Sequence, residues 1–458
     1  MTATTPFRGG FAPVSEEITA FDLPVTGAIP ADLDGRYLRN GPNPLSLDDP
    51  TASHLFFGEG MVHGVRLRDG RAEWYRNRWV RNAATATRLG EEPRPGPVHG
   101  GMDFAANTHV IGHAGRTFAT VEAGPLPYEL SYELDTIGTC DFDGGLPGGY
   151  AAHTHVDPAT GELHAIAYTW FWQHVQHIVL DAAGKVVSTR DVPTGESPMM
   201  HDFALTQRYV VIYDLPVVFS MAHAEKGALL PYTWDDGRQA RVGLLSRATG
   251  EVRWVEVGPC FVFHTLNAYD DGADVVVDVV RYPKRFVDAR LDLGGTPTLD
   301  RWRISPSTGK VVETRLDDRT QEFPRMDERR TGLPYRFGYT AATRDLNDVV
   351  HPRDVALEDL PDTAFDNTLI KHDLVNGTQQ SRQFGRGAFV GEPVFVPSVS
   401  STAEDDGYIL SYVNNPDRGA ADLVILSSQD FTGTPLATVH LPARIPLGFH
   451  GSWLPDSI

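Results

Sequence analysis

The sequence predicts an all-β protein, and two observations indicate a closed arrangement of the β-propeller type. Short segments rich in β-branched and aromatic residues recur along the chain, among them RTFATVEAG, HVQHIVLD and ADVVVDVVRY, and such segments are typical of strands. Eight Gly-centred turns of one recurring form separate them, and each is predicted to place its Gly in a left-handed backbone conformation: LRDGRAEW, GHAGRTFA, PATGELHA, DAAGKVVS, RATGEVRW, PSTGKVVE, LVNGTQQS and DFTGTPLA. Several of these turns lie roughly forty to seventy residues apart, which is the spacing expected when each blade is a four-stranded antiparallel sheet.

The connectivity expected of a propeller argues against an internal domain boundary. Because the ring closes by joining its ends, the first and last strands often share a blade, so we expect residues 1–458 to form one domain. Long amphipathic helices are scarce, and the helical candidate SMAHAEKGALLPYTW lies at positions 220–234. That segment is interpreted either as an ordinary surface insertion or as an apolar lip around a substrate entrance.

Composition excludes several classes of protein. With 40 basic and 60 acidic residues, the formal charge of -20 argues against a nucleic-acid partner, because phosphate binding relies on a basic face. The two cysteines, Cys140 and Cys260, are too few for a disulfide scaffold, which favours a reducing compartment. The first residues lack the pattern of a signal peptide and no run of apolar residues is long enough to span a bilayer, so we expect a cytoplasmic protein.

Four histidines stand out from the 17 in the chain. Walker loops, nucleophile elbows, HExxH helices and paired CxxC motifs are all missing from the sequence. Most histidines in proteins are surface residues or hydrogen-bonded core residues, but four lie beside apolar or small residues at the predicted starts or ends of strands: His153, His201, His264 and His450. In a propeller such distant residues can meet, because the inner strands of all blades converge on one axis.

A series of segments resembles the carotenoid cleavage oxygenase family in the family's order. They are RYLRNGPNP from Arg36, HLFFGEGMVHGVRL from His54, ANTHVIGHAGR from Ala106, VEAGPLPYEL from Val121, DTIGTCDFDGGL from Asp135, EFPRMD from Glu322, GEPVFVP from Gly391 and DDGYILSYV from Asp405. The family includes carotenoid, apocarotenoid and lignostilbene dioxygenases and the vertebrate retinoid isomerase. The resemblance begins near position 28, leaving residues 1–27 as an N-terminal extension, and implies a seven-bladed β-propeller with a cap of loops and short helices over an axial iron site.

The resemblance also implies the residues of that site. The four histidines fall on iron-ligand positions, and Glu122, Glu322 and Glu392 fall on positions whose carboxylates accept a hydrogen bond from ligand imidazoles. An imidazole that binds a metal through one nitrogen carries N–H on the other, and a carboxylate partner fixes the ring and raises its basicity. The implied cofactor is therefore Fe²⁺ held by His153, His201, His264 and His450.

Two positions depart from the family pattern. The first ligand is commonly followed by a Pro-Lys type dipeptide, whereas Thr154 and His155 follow His153, so His155 is a competing ligand candidate. Lignostilbene-cleaving members typically carry a lysine immediately before the first of the three glutamates, to engage a phenol oxygen, and here that residue is Val121. An apolar residue at this position favours a carotenoid or apocarotenoid substrate over a stilbenoid.

The implied reaction is oxidative cleavage of a conjugated C=C bond by dioxygen to two carbonyl products, in an apolar small-molecule substrate. Aromatic residues that could line a tunnel for it, although we expect most of them to be ordinary core residues, are Phe56, Phe57, Trp170, Phe171, Trp172, Phe261, Phe263 and Phe449. Residues 216–234 are a candidate for peripheral membrane contact. Alternative functions are stilbenoid cleavage, oxygen-independent isomerisation, and a non-enzymatic propeller scaffold, although the signatures of WD and kelch repeats are missing.

Overall fold

The computed structural model describes residues 12–46, 55–287, 296–342 and 367–456, which form 33 strands and two short α-helices. The strands of the first half are β1 Thr19–Phe21, β2 Val25–Gly27, β3 Gly35–Pro42, β4 Gly60–Arg68, β5 Arg71–Trp79, β6 His109–His113, β7 Arg116–Thr120, β8 Tyr128–Leu130, β9 Thr136–Thr139, β10 Thr154–Val156, β11 Leu163–Ala167, β12 His174–Leu180, β13 Val186–Pro193, β14 Phe203–Leu205, β15 Tyr209–Asp214 and β16 Val217–Phe219. The strands of the second half are β17 Tyr232–Trp234, β18 Arg241–Ser246, β19 Val252–Glu256, β20 Phe261–Asp271, β21 Asp274–Tyr282, β22 Thr298–Ser305, β23 Lys310–Asp317, β24 Gln321–Arg325, β25 Phe337–Ala342, β26 Thr368–Asp373, β27 Thr378–Gln383, β28 Phe389–Val390, β29 Val394–Pro397, β30 Gly407–Asn415, β31 Ala420–Ser427, β32 Ala437–His440 and β33 Gly451–Pro455. The helices are α1 Ala83–Arg88 and α2 Met221–Glu225, and single 3-10 turns occupy Leu55–Phe57 and Glu328–Arg330.

Seven antiparallel sheets form the blades of a propeller, which confirms the predicted fold class. Blade 1 has the strand order β1-β5-β4-β3-β33, and blades 2 and 3 contain β6 to β9 and β10 to β13. Blade 4 contains β14, β15, β18 and β19, and blades 5 and 6 contain β20 to β23 and β24 to β27. Blade 7 has the order β2-β32-β31-β30, and β28 and β29 both pair with the inner edge of β30.

Tight glycine turns join neighbouring strands within the blades, as predicted. Of the eight glycines predicted to sit in left-handed turns, seven have φ between +65° and +81°: Gly70, Gly115, Gly161, Gly184, Gly250, Gly309 and Gly377. The prediction is wrong for Gly433, whose φ is not positive. That glycine lies within the long connection between β31 and β32, where no two-residue reversal is needed.

Both ends of the chain close the ring. Strand β33 pairs with β3 from Gly35↔Pro455 to Arg39↔Gly451, so the last strand becomes the innermost strand of blade 1. Strands β1 and β2 add outer edges to blades 1 and 7. Within the predicted extension, residues 1–11 lie outside the described residues, and the part from Thr19 to Gly27 supplies these edge strands of the propeller.

Interior strands are apolar on both faces because each blade packs between two others. Strand β21 carries the run DVVVDVVRY, in which all five valines are buried. The carboxylate of Asp278 interrupts that run, and it is fully buried but paired with Arg301 at 2.7 and 2.8 Å and with the hydroxyl of Tyr335 at 2.6 Å. A buried charge is tolerated in such a core only when it is paired in this way.

Two inner strands are bulged near the axis. The register of β20 against β21 shifts between Val262 and Thr265, and that of β24 against β25 shifts between Glu322 and Arg325. Phe323, within the second irregularity, has a φ of +53°. Bulges re-aim side chains that regular pleating would turn to one side, and both of these occur where predicted site residues lie.

An insertion in blade 4 forms a cap over one end of the axis. It consists of the hairpin β16–β17 with α2 between its strands, and it lies between β15 and β18. The helical candidate at positions 220–234 is therefore one short helix within a hairpin, matching the expected cap of loops and short helices. Within the described residues, none of the helices has the length and apolar character needed to cross a membrane.

Candidate metal centre

The four predicted histidines all lie on or beside inner strands of different blades. His153 immediately precedes β10, His201 lies two residues before β14, His264 lies within the bulged part of β20, and His450 immediately precedes β33. All four imidazoles are largely buried. Because these strands converge on the propeller axis, residues separated by up to 297 positions in the sequence meet at one point.

The Nε2 atoms of the four imidazoles face one another. Successive separations are 3.1 Å from His153 to His201, 3.2 Å from His201 to His264, and 3.1 Å from His264 to His450. All four ligand atoms lie within 4.8 Å of one another. Two nitrogens that bind one ion at about 2.1 Å are about 3.0 Å apart at right angles and about 3.4 Å apart at the tetrahedral angle, so the observed spacing suits a shared metal ion.

The three predicted glutamates hold the opposite nitrogens of three of these rings. The Nδ1 to carboxylate distances are 2.9 Å for His201 and Glu122, 2.5 Å for His264 and Glu322, and 2.9 Å for His450 and Glu392. A carboxylate at Nδ1 places the proton of the neutral ring there and leaves the lone pair on Nε2. Lone pairs directed at one another are unfavourable unless a cation lies between them, so the donor set fits a metal ion.

Each glutamate is itself fixed by further donors. The hydroxyls of Tyr168 and Tyr282 donate to Glu122 and Glu322, both at 2.6 Å. Glu392 instead accepts from the backbone N–H of Gly451 at 2.8 Å, and it forms an ion pair with Arg325 at 3.0 Å. The three carboxylates are thus supported by different partners, although they hold equivalent imidazole nitrogens.

The pKa shifts of the three glutamates and of His153 agree with this arrangement. Burial by itself would raise the pKa of Glu122, Glu322 and Glu392. The imidazole partners nevertheless lower the pKa of Glu122 and Glu322 below its ordinary value. For Glu392 the guanidinium of Arg325, and after it the imidazole of His450, lower the pKa in the same way. The pKa of His153 lies well below that of a free histidine because of burial and the neighbouring imidazoles. Its ring is therefore neutral at physiological pH, which is the protonation state a metal ligand requires.

His155 lies apart from the four converging rings. Its Nε2 is 3.0 Å from Oδ1 of Asp202, whose Oδ2 accepts from the backbone N–H of Thr265 at 2.8 Å. Asp202 and Thr265 directly follow His201 and His264 in the sequence. The side chain of His155 therefore hydrogen-bonds to the segment that carries His201, which in turn bonds to the segment that carries His264. The sequence made His155 a competing ligand candidate, but its ring does not join the four converging rings.

An apolar cavity of about 440 Å³ reaches the imidazoles from the capped side. Its lining includes His201, His264 and His450 at one end and the residues of the blade 4 insertion at the other. Among the described residues that line it there is neither lysine nor arginine, and the carboxylates of Glu122 and Glu322 are occupied by their imidazole and tyrosine partners. A second cavity of about 640 Å³ also has His153, His264 and His450 in its lining. Many of its other lining residues are polar, and the residues of the blade 4 insertion are not among those described there.

The aromatic candidates divide between cavity and surroundings. Five of the eight line the apolar cavity: Phe56, Phe57, Trp170, Phe263 and Phe449. The expectation that most are ordinary core residues is therefore wrong, although Phe261 is buried in the core and Phe171 is exposed. Phe219 and Tyr232 also line the cavity, and they lie in the 216–234 segment that was already a candidate for membrane contact. Lining residues that sequence reasoning missed are Phe104, Tyr168, Met199 and Phe323. Their local sequences carry no signal that separates a cavity wall from a core.

Comparisons with known proteins agree with the architecture and the site. The sequence model of the family described as retinal pigment epithelial membrane protein matches residues 11–455. A carotenoid cleavage oxygenase of Mycobacterium tuberculosis is 45% identical over 99% of this chain and 98% of its own length.

Solved structures give the same relationship. Cobalt-substituted apocarotenoid oxygenase of Synechocystis has a TM-score of 0.84 at 28% identity, with 98% of each chain covered. Lignostilbene dioxygenase of Pseudomonas brassicacearum has a TM-score of 0.87 at 28% identity, with 99% of each chain covered. The four converging imidazoles thus lie in a chain that belongs to the family of the retinal pigment epithelial membrane protein and the carotenoid cleavage oxygenases.

Proposed function

We propose that this protein is a non-haem Fe²⁺-dependent dioxygenase that cleaves a conjugated C=C bond of a carotenoid or apocarotenoid to two carbonyl products. The observation that carries the proposal is the convergence of four Nε2 atoms at the inner end of an apolar cavity. His153, His201, His264 and His450 would hold the iron, and Glu122, Glu322 and Glu392 would orient three of these rings. Family membership supports the same reaction class, as does the similarity to the structures of apocarotenoid oxygenase and lignostilbene dioxygenase.

The chain contributes binding, orientation and exclusion of water. Neutral imidazoles leave the charge of a bound divalent ion uncompensated, in contrast to sites that contain a carboxylate ligand. Bound Fe²⁺ supplies the activation of dioxygen that cleavage of a C=C bond requires. The apolar walls, among them Phe263, Phe323 and Phe449, position a hydrocarbon chain next to the imidazoles and keep the reacting carbons dry.

The chemistry of the cavity favours an apolar, uncharged substrate. Its lining is dominated by aromatic and aliphatic side chains, and its volume of about 440 Å³ is within the range of small-molecule sites. Lysine and arginine are absent from the lining in the part of the chain that the structure describes, which disfavours recognition of a carboxylate or phenolate. A stilbenoid is the second candidate substrate, supported by the similarity to lignostilbene dioxygenase.

Val121 provides a test of substrate class. It is buried in the cavity wall directly before Glu122, and we expect Val121→Lys to lower kcat/KM for an apocarotenal by about 10-fold to 100-fold, because an ammonium group is costly in an apolar cavity. Val121→Met adds similar length without charge and should change kcat/KM by less than about threefold. Steady-state kinetics of both variants make the comparison. An equal loss in both would attribute the effect to bulk and contradict a role for polarity.

The reaction itself is tested with reconstituted enzyme. The chain is loaded anaerobically with Fe²⁺ and then exposed to ¹⁸O₂ with an apocarotenal, β-carotene, resveratrol or a lignostilbene. Mass spectrometry should find paired carbonyl products from a carotenoid or apocarotenoid, with label from dioxygen. Paired products from a stilbenoid alone would replace the substrate class, isomerised product without label would indicate an isomerase, and a chain that binds no iron would overturn the proposal.

His153 and His155 allow the first ligand to be identified. We expect His153→Ala to reduce bound iron well below one equivalent, because its Nε2 belongs to the convergent set. His155→Ala should retain iron, because its ring pairs with Asp202 instead. Iron content after anaerobic reconstitution and desalting measures both, and the reverse order of loss would make His155 the ligand.

We propose in addition that the protein is cytoplasmic and that the cavity mouth makes peripheral contact with a membrane. Several apolar side chains near the mouth are at least two-fifths exposed, namely Phe57, Trp170, Met221 and Leu229. Two of them belong to the 216–234 segment, and grouped exposed apolar residues of this kind favour an interfacial position. Sedimentation with phospholipid vesicles tests the contact, and equal sedimentation of a Trp170→Glu, Met221→Glu double variant would contradict it.

A further inference from the structure

A second group of potential metal ligands lies away from the four imidazoles, on the hairpin between β10 and β11. The backbone N–H of Asp157 donates to the carbonyl of Glu162 at 2.8 Å, so these two residues face each other across the turn. His164 lies two residues beyond Glu162 on the same strand. Cross-strand partners and alternate residues share one face of a sheet, so all three side chains project to the same side.

The ligand atoms of this group are close enough to share one ion. One oxygen of each carboxylate and one nitrogen of His164 lie within 4.8 Å of one another, and Nε2 of His164 is 3.7 Å from Oε2 of Glu162. Two ligands that bind one divalent ion at about 2.1 Å are separated by about 3.0 to 4.2 Å. A cavity of about 820 Å³ borders the three residues, so water can complete the coordination.

The imidazole of His164 gives an independent indication of a ligand. The residue is 2% exposed, yet its Nε2 is a buried polar atom that has no hydrogen-bond partner among residues 12–46, 55–287, 296–342 and 367–456, and it is directed toward the carboxylates. Buried polar atoms are rarely left unpaired, and an unpaired one in a native structure indicates a missing water or ion.

The other nitrogen of His164 is held by a second imidazole. Its Nδ1 is 3.0 Å from Nε2 of His177, and the two rings are stacked with an interplanar angle of 16°. If His164 donates from Nδ1 to His177, its Nε2 carries a free lone pair, and a hydrogen-bonded partner of this kind fixes the ligand ring.

Local charge also permits a divalent cation. Nη2 of Arg247, on the adjacent blade 4, is 2.5 Å from Oδ2 of Asp157 and 3.8 Å from Oε2 of Glu162. Oδ1 of Asp157 accepts from the backbone N–H of Ala159 at 2.8 Å. Two carboxylates and one guanidinium leave one net negative charge beside the unpaired imidazole nitrogen, which attracts a cation and repels an anion.

We propose that Asp157, Glu162 and His164 form a second metal site, which binds a divalent transition metal such as Zn²⁺ at the seam between blades 3 and 4. One imidazole with two carboxylates is a donor set that suits Zn²⁺, whereas Ca²⁺ and Mg²⁺ prefer oxygen ligands alone. Arg247 of blade 4 pairs with the Asp157 carboxylate of blade 3. An ion bound to that carboxylate would therefore stabilise the contact between the two blades.

The test is equilibrium dialysis of the full-length, Fe²⁺-loaded protein against Zn²⁺ under anaerobic conditions, with iron and zinc counted in the same sample. One equivalent of zinc is expected in addition to the retained iron, so zinc that replaces iron is recognised by the loss of iron. We expect His164→Ala and Glu162→Gln each to weaken zinc binding at least about tenfold, and His177→Ala to weaken it by about 10-fold to 100-fold. Glu162 is partly exposed, so its variant keeps the test valid if replacement of the buried His164 impairs folding.

The matched control is His174→Ala, which removes a partly exposed histidine 3.6 Å from a single carboxylate, that of Asp191, and should leave zinc binding unchanged. A tenfold excess of Ca²⁺ over Zn²⁺ should not displace the zinc. The proposal is overturned if no zinc binds beyond the iron centre, if zinc binding survives both His164→Ala and Glu162→Gln, or if Ca²⁺ displaces it.

Discussion

His264→Ala is expected to abolish iron binding and cleavage activity. Nε2 of His264 lies within 3.2 Å of the Nε2 atoms of both His201 and His450, so its loss removes a central member of the set. It also removes the imidazole partner of the buried Glu322, which then keeps only the neutral donors Tyr282 and the Phe323 N–H among the described residues, and a buried charge is costly when it loses a partner. We expect iron affinity to fall by more than about 100-fold and activity to fall below detection.

Iron content by mass spectrometry and product formation under air measure this effect. The control is His440→Ala. His440 is partly exposed and is hydrogen-bonded to Asp422 at 2.9 Å, and it lies on β32, toward the outer edge of blade 7, whereas the converging rings lie at inner strands. That variant should keep one equivalent of iron and full activity. A His264→Ala protein that still holds stoichiometric iron would refute the assignment of the centre.

Glu392→Gln is expected to have the largest effect among substitutions of the three glutamates. All partners of this carboxylate are donors: Nδ1–H of His450 on Oε1, and the Gly451 N–H and Arg325 guanidinium on Oε2. A glutamine must direct its NH₂ group at one of these donors, which leaves a buried polar group unsatisfied and removes the negative charge beside Arg325. We expect iron affinity to fall by about 10-fold to 100-fold.

Glu322→Gln should be milder because its partners differ in kind. Oε2 of Glu322 accepts from His264 Nδ1 and from the backbone N–H of Phe323, whereas Oε1 accepts only from the hydroxyl of Tyr282. The amide oxygen of glutamine can serve the first two donors, and its NH₂ group can donate to the hydroxyl, which rotates to accept. We expect a loss of iron affinity below about tenfold.

Glu122→Gln has the same type of partner set, with Tyr168 on one oxygen and His201 on the other, and is the matched control for Glu322→Gln. Anaerobic iron titrations of the three variants give the order directly. Equal losses in all three would show that charge alone matters and that the satisfaction of individual hydrogen bonds does not.

The sequence predicted more of the centre than of its surroundings. The four histidines and three glutamates lie in segments whose resemblance to a family is specific, and the structure brings all seven together. The cavity wall was predicted poorly, because an aromatic residue on a core strand and one on a cavity wall occur in the same apolar context. Phe261 and Phe263 illustrate this, since they are two positions apart and only Phe263 lines the cavity.

By itself, the sequence determined the class of fold, and its resemblance to a family implied the residues and the metal of the centre. Strand patterns, glycine turns and the ring-forming repeat are local properties of the chain, and the ligand types follow from residue identity. Only the tertiary structure showed that the ring of His153, and not that of His155, joins the converging set, because the convergence of Nε2 atoms depends on how blades pack around the axis. The same is true of the unpaired nitrogen of His164, since whether a buried polar atom has a partner depends on residues brought together from distant parts of the chain.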